Sequence, residues 1–280
     1  MGIQDLNLEI AEKSLLAAQK EQGLSATVDK LRRIVPDISS QESRVVDNFG
    51  SFDELKRRNL HGFQCQLMME ALRFIDKKRF TVVDVGDSAG THMLYLKDLS
   101  KDAWELDSLS INLDPRAIKK IRSRGLKALL KRAEEIDSAD LDSGEIGFIT
   151  SFEMIEHLHN PALFFRRLAK MSPCSVMVIS VPFMAASRVG LHHIRNHSPA
   201  NIYAEDEHVF ELSPDDWRLL FLHSGWRTVR QKVYWQYPRK YVILRQLLGR
   251  FWRQYDYEGF WGAILVRDLS YSDRYLDWEA

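Results

Sequence analysis

The chain has 280 residues, 45% hydrophobic and 28% charged, which suits one large α/β domain with a short appendage in a soluble enzyme. Its 39 basic and 39 acidic side chains cancel, so no overall field draws it to nucleic acid, and only a local basic patch could act in that way. Cys65 and Cys174 lie far apart without metal-ligand spacing, the N-terminus is polar and charged, and no apolar run reaches 18 residues, which together point to a reduced cytoplasmic protein without signal peptide or membrane span.

Along the chain, Leu6, Leu8, Ile10, Ala11, Leu15 and Leu16 recur among Glu and Lys over residues 4–22 and predict a polar amphipathic helix. A second helix is expected over 26–35, ended by Pro36, and residues 37–50 have the polar, turn-rich composition of a linker. Ser51-Phe52-Asp53-Glu54 resembles a capping box and opens a helix reaching about Asp76. Residues 1–60 are therefore expected to form a helical extension, ahead of a domain over 61–270. From Thr81 the pattern alternates. Strands are expected at 81–85, 108–112, 127–130, 146–150, 175–181, 227–233 and 260–266, with helices near 91–99, 115–124, 159–170 and 213–224. Such alternation requires crossover connections, hence a doubly wound, mainly parallel sheet of seven strands covered on both faces. Sheets of this kind take ligands at the carboxyl ends of their strands.

The first strand runs into Asp84-Val85-Gly86-Asp87-Ser88-Ala89-Gly90, a glycine turn before a helix, where backbone can approach a ligand closely. A side chain added at Gly86 is expected to stand against that ligand. After the fourth strand comes Phe152-Glu153-Met154-Ile155-Glu156-His157-Leu158-His159-Asn160-Pro161. If that segment turned helically, Glu153 would share a face with Glu156 or His157. Carboxylates with imidazole suit a divalent ion such as Mg2+ or Mn2+, or else they line an acceptor pocket.

The ordered set of D-x-G-x-x-x-G, the turn Asn112–Pro115, F-E-x-x-E-H-L-x-x-P, Ser180-Val181-Pro182, His208-Val209-Phe210-Glu211 and Ser224-Gly225-Trp226 resembles the class I S-adenosylmethionine-dependent methyltransferases over residues 60–266. The resemblance implies a Rossmann-like fold and S-adenosylmethionine as cofactor, with Asp84, Gly86, Asp87, Ser88, Gly90, Asn112, Asp114, Ala133 and Phe152 around it. Three positions depart from the family pattern. Ser88 stands for the middle glycine, Asn112 for the ribose-binding acid, and Arg132, before Ala133, for an acid near adenine. Asn112→Asp is accordingly expected to keep or improve cofactor affinity.

The E-x-x-E-H segment resembles that of small-RNA 3′-end ribose methyltransferases and of ubiquinone-pathway catechol O-methyltransferases. That likeness implies a metal site of Glu153, Glu156, His157 and His208, with His157 and His208 as catalytic imidazoles. Residues 183–210, containing His192, His193, Arg195, Asn196, His197 and Tyr203, read as an acceptor lid. Residues 234–257 form an aromatic and basic insertion, with Val242, Leu244, Leu248, Phe251 and Trp252 on one face of a helix over 241–254. Such a face docks on its own sheet, or meets a membrane periphery, a glycan or nucleic acid. The function so implied is O-methylation of a hydroxylated small molecule or glycan, metal-assisted or not. The alternatives are 2′-O-methylation at an RNA 3′ end and a non-catalytic binding scaffold.

Overall fold

The structure is a computed structural model that describes residues 3–39, 41, 49–141, 145–171, 174–189 and 207–275. Seven strands form its sheet: β1 (Arg79–Val85), β2 (Glu105–Asn112), β3 (Lys127–Leu130), β4 (Ile146–Phe152), β5 (Val176–Pro182), β6 (Trp226–Trp235) and β7 (Gly259–Arg267). They lie in the order β3-β2-β1-β4-β5-β7-β6, and β7 alone runs against its neighbours. β1, β4 and β5 are buried almost along their whole length, as strands covered on both faces must be, which explains why apolar residues dominate them. β2 starts three residues before the expected Ser108, because its half-exposed first residues, Glu105-Leu106-Asp107, pair with β1 without needing apolar side chains.

The helices are α1 (Ile3–Glu21), α2 (Ser25–Ile34), α3 (Ser51–Ala71), α4 (Thr91–Ser100), α5 (Pro115–Ser123), α6 (Pro161–Met171), α7 (Pro214–His223) and α8 (Val242–Tyr255). α5 begins where Asp114 accepts a hydrogen bond from the Arg116 backbone N–H and Pro115 occupies the first turn. The start of α3 is capped one residue earlier than expected, with the Asp53 carboxylate accepting from Gly50 N–H at 3.0 Å.

α3 crosses residue 60 without a break, and Leu24, Val28 and Leu31 of α2 share one core with Phe63, Leu67 and the sheet. The N-terminal helices thus belong to the same packed body as the sheet. Ala11 and Leu15 of α1 form a second, small core with Tyr237 and Trp252 of the 234–257 insertion. The chain winds from β1 outward to β3, then returns to place β4 on the other side of β1. That reversal opens a crevice at the carboxyl ends of β1 and β4.

Candidate functional site

The crevice is floored by the turn after β1. Gly86 has φ +96° and Gly90 φ +74°, the left-handed region that glycine alone enters without strain. The buried Asp87 carboxylate organises the turn between them. Its Oδ1 accepts from the N–H groups of Ala89 (3.0 Å) and Gly90 (2.7 Å), and its Oδ2 from the Ser110 hydroxyl (2.7 Å). Asp87 is therefore a brace of the loop. A Cβ at Gly86 would meet Cγ and Cβ of Met154 at 2.5 and 2.8 Å. The expectation that a side chain there would stand against a ligand is corrected: it would collide with the protein itself.

Ser88 tells a related story. Its hydroxyl donates to the Gln41 carbonyl oxygen at 2.8 Å, and Gln41 Nε2 donates back to that hydroxyl at 3.3 Å. Where a glycine would leave the loop bare, the serine fastens Gln41 to it. Gln41 was not foreseen, since a polar linker residue carries no local signal of such a contact.

At the end of β2, Asn112 Nδ2 donates to the Asp87 carbonyl (2.9 Å), and its Oδ1 accepts from Asp114 N–H (2.7 Å). An aspartate could make only the second bond and would set an oxygen against the Asp87 carbonyl, so Asn112→Asp is now expected to weaken the loop rather than improve it. One N–H and one lone pair of the amide remain for a ribose. Asp114 is committed elsewhere: its carboxylate caps α5 and grips the Arg116 guanidinium at 2.8–3.1 Å. Arg132 and Ala133 open a short 3-10 turn after β3, with Arg132 3.7 Å from the Glu134 carboxylate. Leu113 and Leu130, missed in the sequence, are half exposed at the ends of β2 and β3 and offer apolar surface of the kind an adenine ring covers.

Asp84, at the end of β1, is buried with its Oδ2 unpartnered, and burial followed by the charge of Asp87 pushes its carboxyl well above the usual carboxylate range. An unsatisfied acceptor beside a glycine turn fits a ligand that brings its own hydrogen-bond donors, as the ammonium end of S-adenosylmethionine does.

On the other side of the crevice, the turn after β4 does not form the helix that would align Glu153 with Glu156. Glu153 sits at φ +49°, the one non-glycine residue in the left-handed region among the described residues, and only Ile155–His157 form a 3-10 turn. Glu153 turns to β5, where its Oε1 accepts from the Ser180 hydroxyl (2.7 Å). Gln64 of α3 donates to that hydroxyl (2.9 Å), and the His92 ring of α4 bonds Gln64 Oε1 (2.8 Å). The His92 ring also lies 4.9 Å from that of Phe152. Burial pushes the Glu153 carboxyl up to about 8 and pulls His92 down to about 3. This relay of four polar groups was missed, because a buried glutamine on a helix leaves no pattern in the sequence.

Glu156, His157 and His208 do come together, with one potential ligand atom from each within 4.8 Å of the others. Glu153 is outside that group. The His157 and His208 rings meet edge to face at 4.7 Å. A backbone bond from Val209 N–H to the Glu156 carbonyl (2.8 Å) ties the returning segment to the turn. His157 Nδ1 donates to the Glu207 carbonyl (2.8 Å), which leaves the lone pair of the neutral ring on Nε2. His208 Nδ1 donates to Glu211 Oε1 (3.1 Å), and the Tyr257 hydroxyl donates to the same oxygen (2.9 Å).

The Glu211 carboxyl, despite burial, is drawn down to about 2 by its bonds from His208, Arg188 and Tyr257. Glu156 is only 1% exposed, with neither carboxylate oxygen hydrogen-bonded. Burial first, then the charge of Glu153, pushes its carboxyl well up. A buried carboxylate without donors, facing two imidazoles whose outer nitrogens are already fixed, is a donor set that fits a divalent cation.

The flanks of the predicted lid are joined by a two-residue antiparallel pairing of Arg188–Val189 with Phe210–Glu211, and by the Arg188–Glu211 ion pair. His192, His193, Arg195, Asn196, His197 and Tyr203 lie outside the described residues.

A family model described as "Methyltransferase domain" matches residues 57–231, more than half of the chain. No curated protein sequence matches it. Among solved structures, a protein assigned as a sarcosine dimethylglycine methyltransferase from Galdieria sulphuraria aligns with TM-score 0.54 at 14% identity, covering 86% of this chain and 98% of its own. The cyclopropane synthase MmaA2 from Mycobacterium tuberculosis aligns with TM-score 0.51 at 12% identity, covering 85% and 94%. At these identities the likeness is one of fold, and the two names describe unlike reactions, so the shared architecture leaves the acceptor open.

Proposed function

Because the chain belongs to the methyltransferase-domain family of class I S-adenosylmethionine-dependent enzymes, we propose that it methylates a hydroxyl oxygen of a small hydroxylated molecule or glycan, with a divalent ion such as Mg2+ or Mn2+ at Glu156, His157 and His208. The observation that carries this reading is the meeting of those three side chains around an unpartnered buried carboxylate. When bound, the cation supplies a Lewis acid that lowers the pKa of a neighbouring hydroxyl. S-adenosylmethionine, which the Asp84–Gly90 loop and Asn112 would hold, would supply the methyl group as an electrophile on sulfonium.

Glu211 and the Glu207 carbonyl hold Nδ1–H of His208 and His157, so the one lone pair left on each ring, at Nε2, is the pair that would ligate the cation, and the hydroxyl proton acidified by the cation would leave to solvent. On the cofactor side, Asp87 and Asn112 hold the loop in one shape, and Asp84 keeps an open acceptor for a ligand donor.

The test is an acceptor screen with methyl-labelled cofactor, run on polyhydroxylated small molecules, glycans and an RNA 3′ end, before and after chelation. Label in a small hydroxylated acceptor that chelation abolishes and Mn2+ restores supports the reading. Label on RNA alone, or chelator-insensitive transfer, contradicts it.

A further inference from the structure

α8 is anchored by one half and exposed along the other. Toward its C-terminus, Trp252 is buried against Ala11 and Leu15 of α1, and its indole N–H donates to the Ser14 hydroxyl at 2.9 Å. Leu248 and Phe251 border the same small core. The opening turns are different. Tyr241, Val242, Ile243 and Leu247 are 63%, 57%, 75% and 64% exposed. At about 100° per residue, Ile243 and Leu247 share the face opposite Trp252, with Arg250 next along that face. Scattered single exposures of this kind are ordinary, but a contiguous run on one helix end is not.

The charges around the run have one sign. α8 contains Arg245, Arg250 and Arg253 and no acid, and Lys240 precedes it. Arg253 pairs with Glu258 at 2.9 Å, whereas Lys240, Arg245 and Arg250 have no ion pair among the described residues. Arg239 stacks on Trp235 at 3.7 Å. The acid close by, Glu21, accepts the backbone N–H groups of Arg239 and Lys240 at 2.7 and 3.2 Å. Protein interface cores are depleted of charge, while apolar side chains flanked by unpaired cations on one helix suit the boundary between acyl chains and anionic headgroups. Among the described residues no helix is long and apolar enough to cross a membrane, so such contact is peripheral.

We propose that the amino-terminal half of α8 docks on an anionic bilayer surface, with Tyr241, Val242, Ile243 and Leu247 entering the interface and Lys240 and Arg250 meeting headgroups. α8 ends two residues before Tyr257, whose hydroxyl reaches Glu211 beside His208, so the docking element leads directly into the acceptor side of the crevice. The docking does not depend on which acceptor is methylated.

Flotation of the full chain with vesicles tests it. Retention on phosphatidylcholine–phosphatidylglycerol vesicles, weak retention on phosphatidylcholine alone, and release by salt are expected. Ile243→Asp with Leu247→Asp should lower retention about tenfold or more. Both side chains are exposed, so the unfolding temperature and S-adenosylmethionine affinity should stay unchanged, which separates this idea from the reading of the active site. Lys240→Glu with Arg250→Glu should lower retention on anionic vesicles as well. Absence of wild-type binding to anionic vesicles, or retention untouched by the two aspartates, would overturn the proposal. So would a dimer in lipid-free buffer that the two aspartates dissociate, since the patch would then be a contact between copies.

Discussion

Two carboxylates stand at the carboxyl ends of adjacent strands and are treated in opposite ways. Asp87, after β1, is buried and receives three hydrogen bonds, from Ala89, Gly90 and Ser110. Glu156, after β4, is just as deeply buried and receives none on either oxygen. Folding offers no reason to bury an unpaired carboxylate, because the cost of desolvating it is recovered only when donors or a cation arrive. The first is therefore part of the frame and the second is held ready for something the chain does not itself supply. Ser88, Asn112 and Asp114 fall with Asp87, their polar groups used mainly inside the protein. His157 and His208 fall with Glu156, each with Nδ1 tied to the protein and with one potential ligand atom within 4.8 Å of those of the other two residues.

Substitution should split the pair. Asp87→Ala leaves two buried N–H groups and a hydroxyl without their acceptor and should destabilise the fold by about 3–5 kcal/mol in urea unfolding. Glu156→Gln replaces a buried carboxyl that makes no hydrogen bond by an amide of the same shape and should leave stability unchanged while abolishing chelator-sensitive turnover. Equal destabilisation by both would erase the distinction.

The relay through His92 gives a pH-dependent form of the same contrast. Burial lowers His92 from an ordinary 6.5 to about 3 in the folded state. The unfolded chain therefore binds this proton first as pH falls. Its contribution is intact above about pH 6.5 and declines toward pH 3, by roughly 3 kcal/mol at pH 4. Glu153, whose carboxyl is pushed up to about 8, acts in the opposite sense over the same range, so the His92 share is read as a difference: from pH 7 to pH 4 the unfolding free energy of the wild type should fall relative to that of His92→Gln. A slope identical in the variant would mean that the ring is not held neutral in the fold.

A smaller effect is expected at Asn112. Asn112→Asp replaces a donor by an acceptor 2.9 Å from the Asp87 carbonyl and should lower both stability and S-adenosylmethionine affinity, by about 1–3 kcal/mol in calorimetry. Improved affinity would restore the acid to the ribose role that its position suggests.

Much of this architecture was legible from the sequence. β1, β4 and β5 are mostly apolar because both faces of the sheet are covered, and Asp114-Pro115 states the start of α5 outright. α3 runs across residue 60 because nothing between Ser51 and Ala71 breaks a helix, and it carries the N-terminal helices into the core. At the site, the resemblance to metal-using methyltransferases pointed to Glu156, His157 and His208 together with Glu153, and the first three do meet. The placing of Glu153 was not legible, since it turns on a left-handed backbone that no residue type there announces. Gln41, Gln64 and Ser180 were invisible for a similar reason: their partners are 47 and 116 residues away, and each looks unremarkable beside its neighbours.

The claim that Glu156 awaits a cation is tested most directly by titrating Mn2+ into chelator-treated protein, followed by calorimetry and by the paramagnetic signal of free Mn2+. One ion per chain is predicted, with affinity at least about tenfold weaker in Glu156→Gln and in His208→Gln while both variants keep the wild-type unfolding temperature. No saturable binding, or binding of the same strength in both variants, would contradict it and return the three residues to the wall of an acceptor pocket.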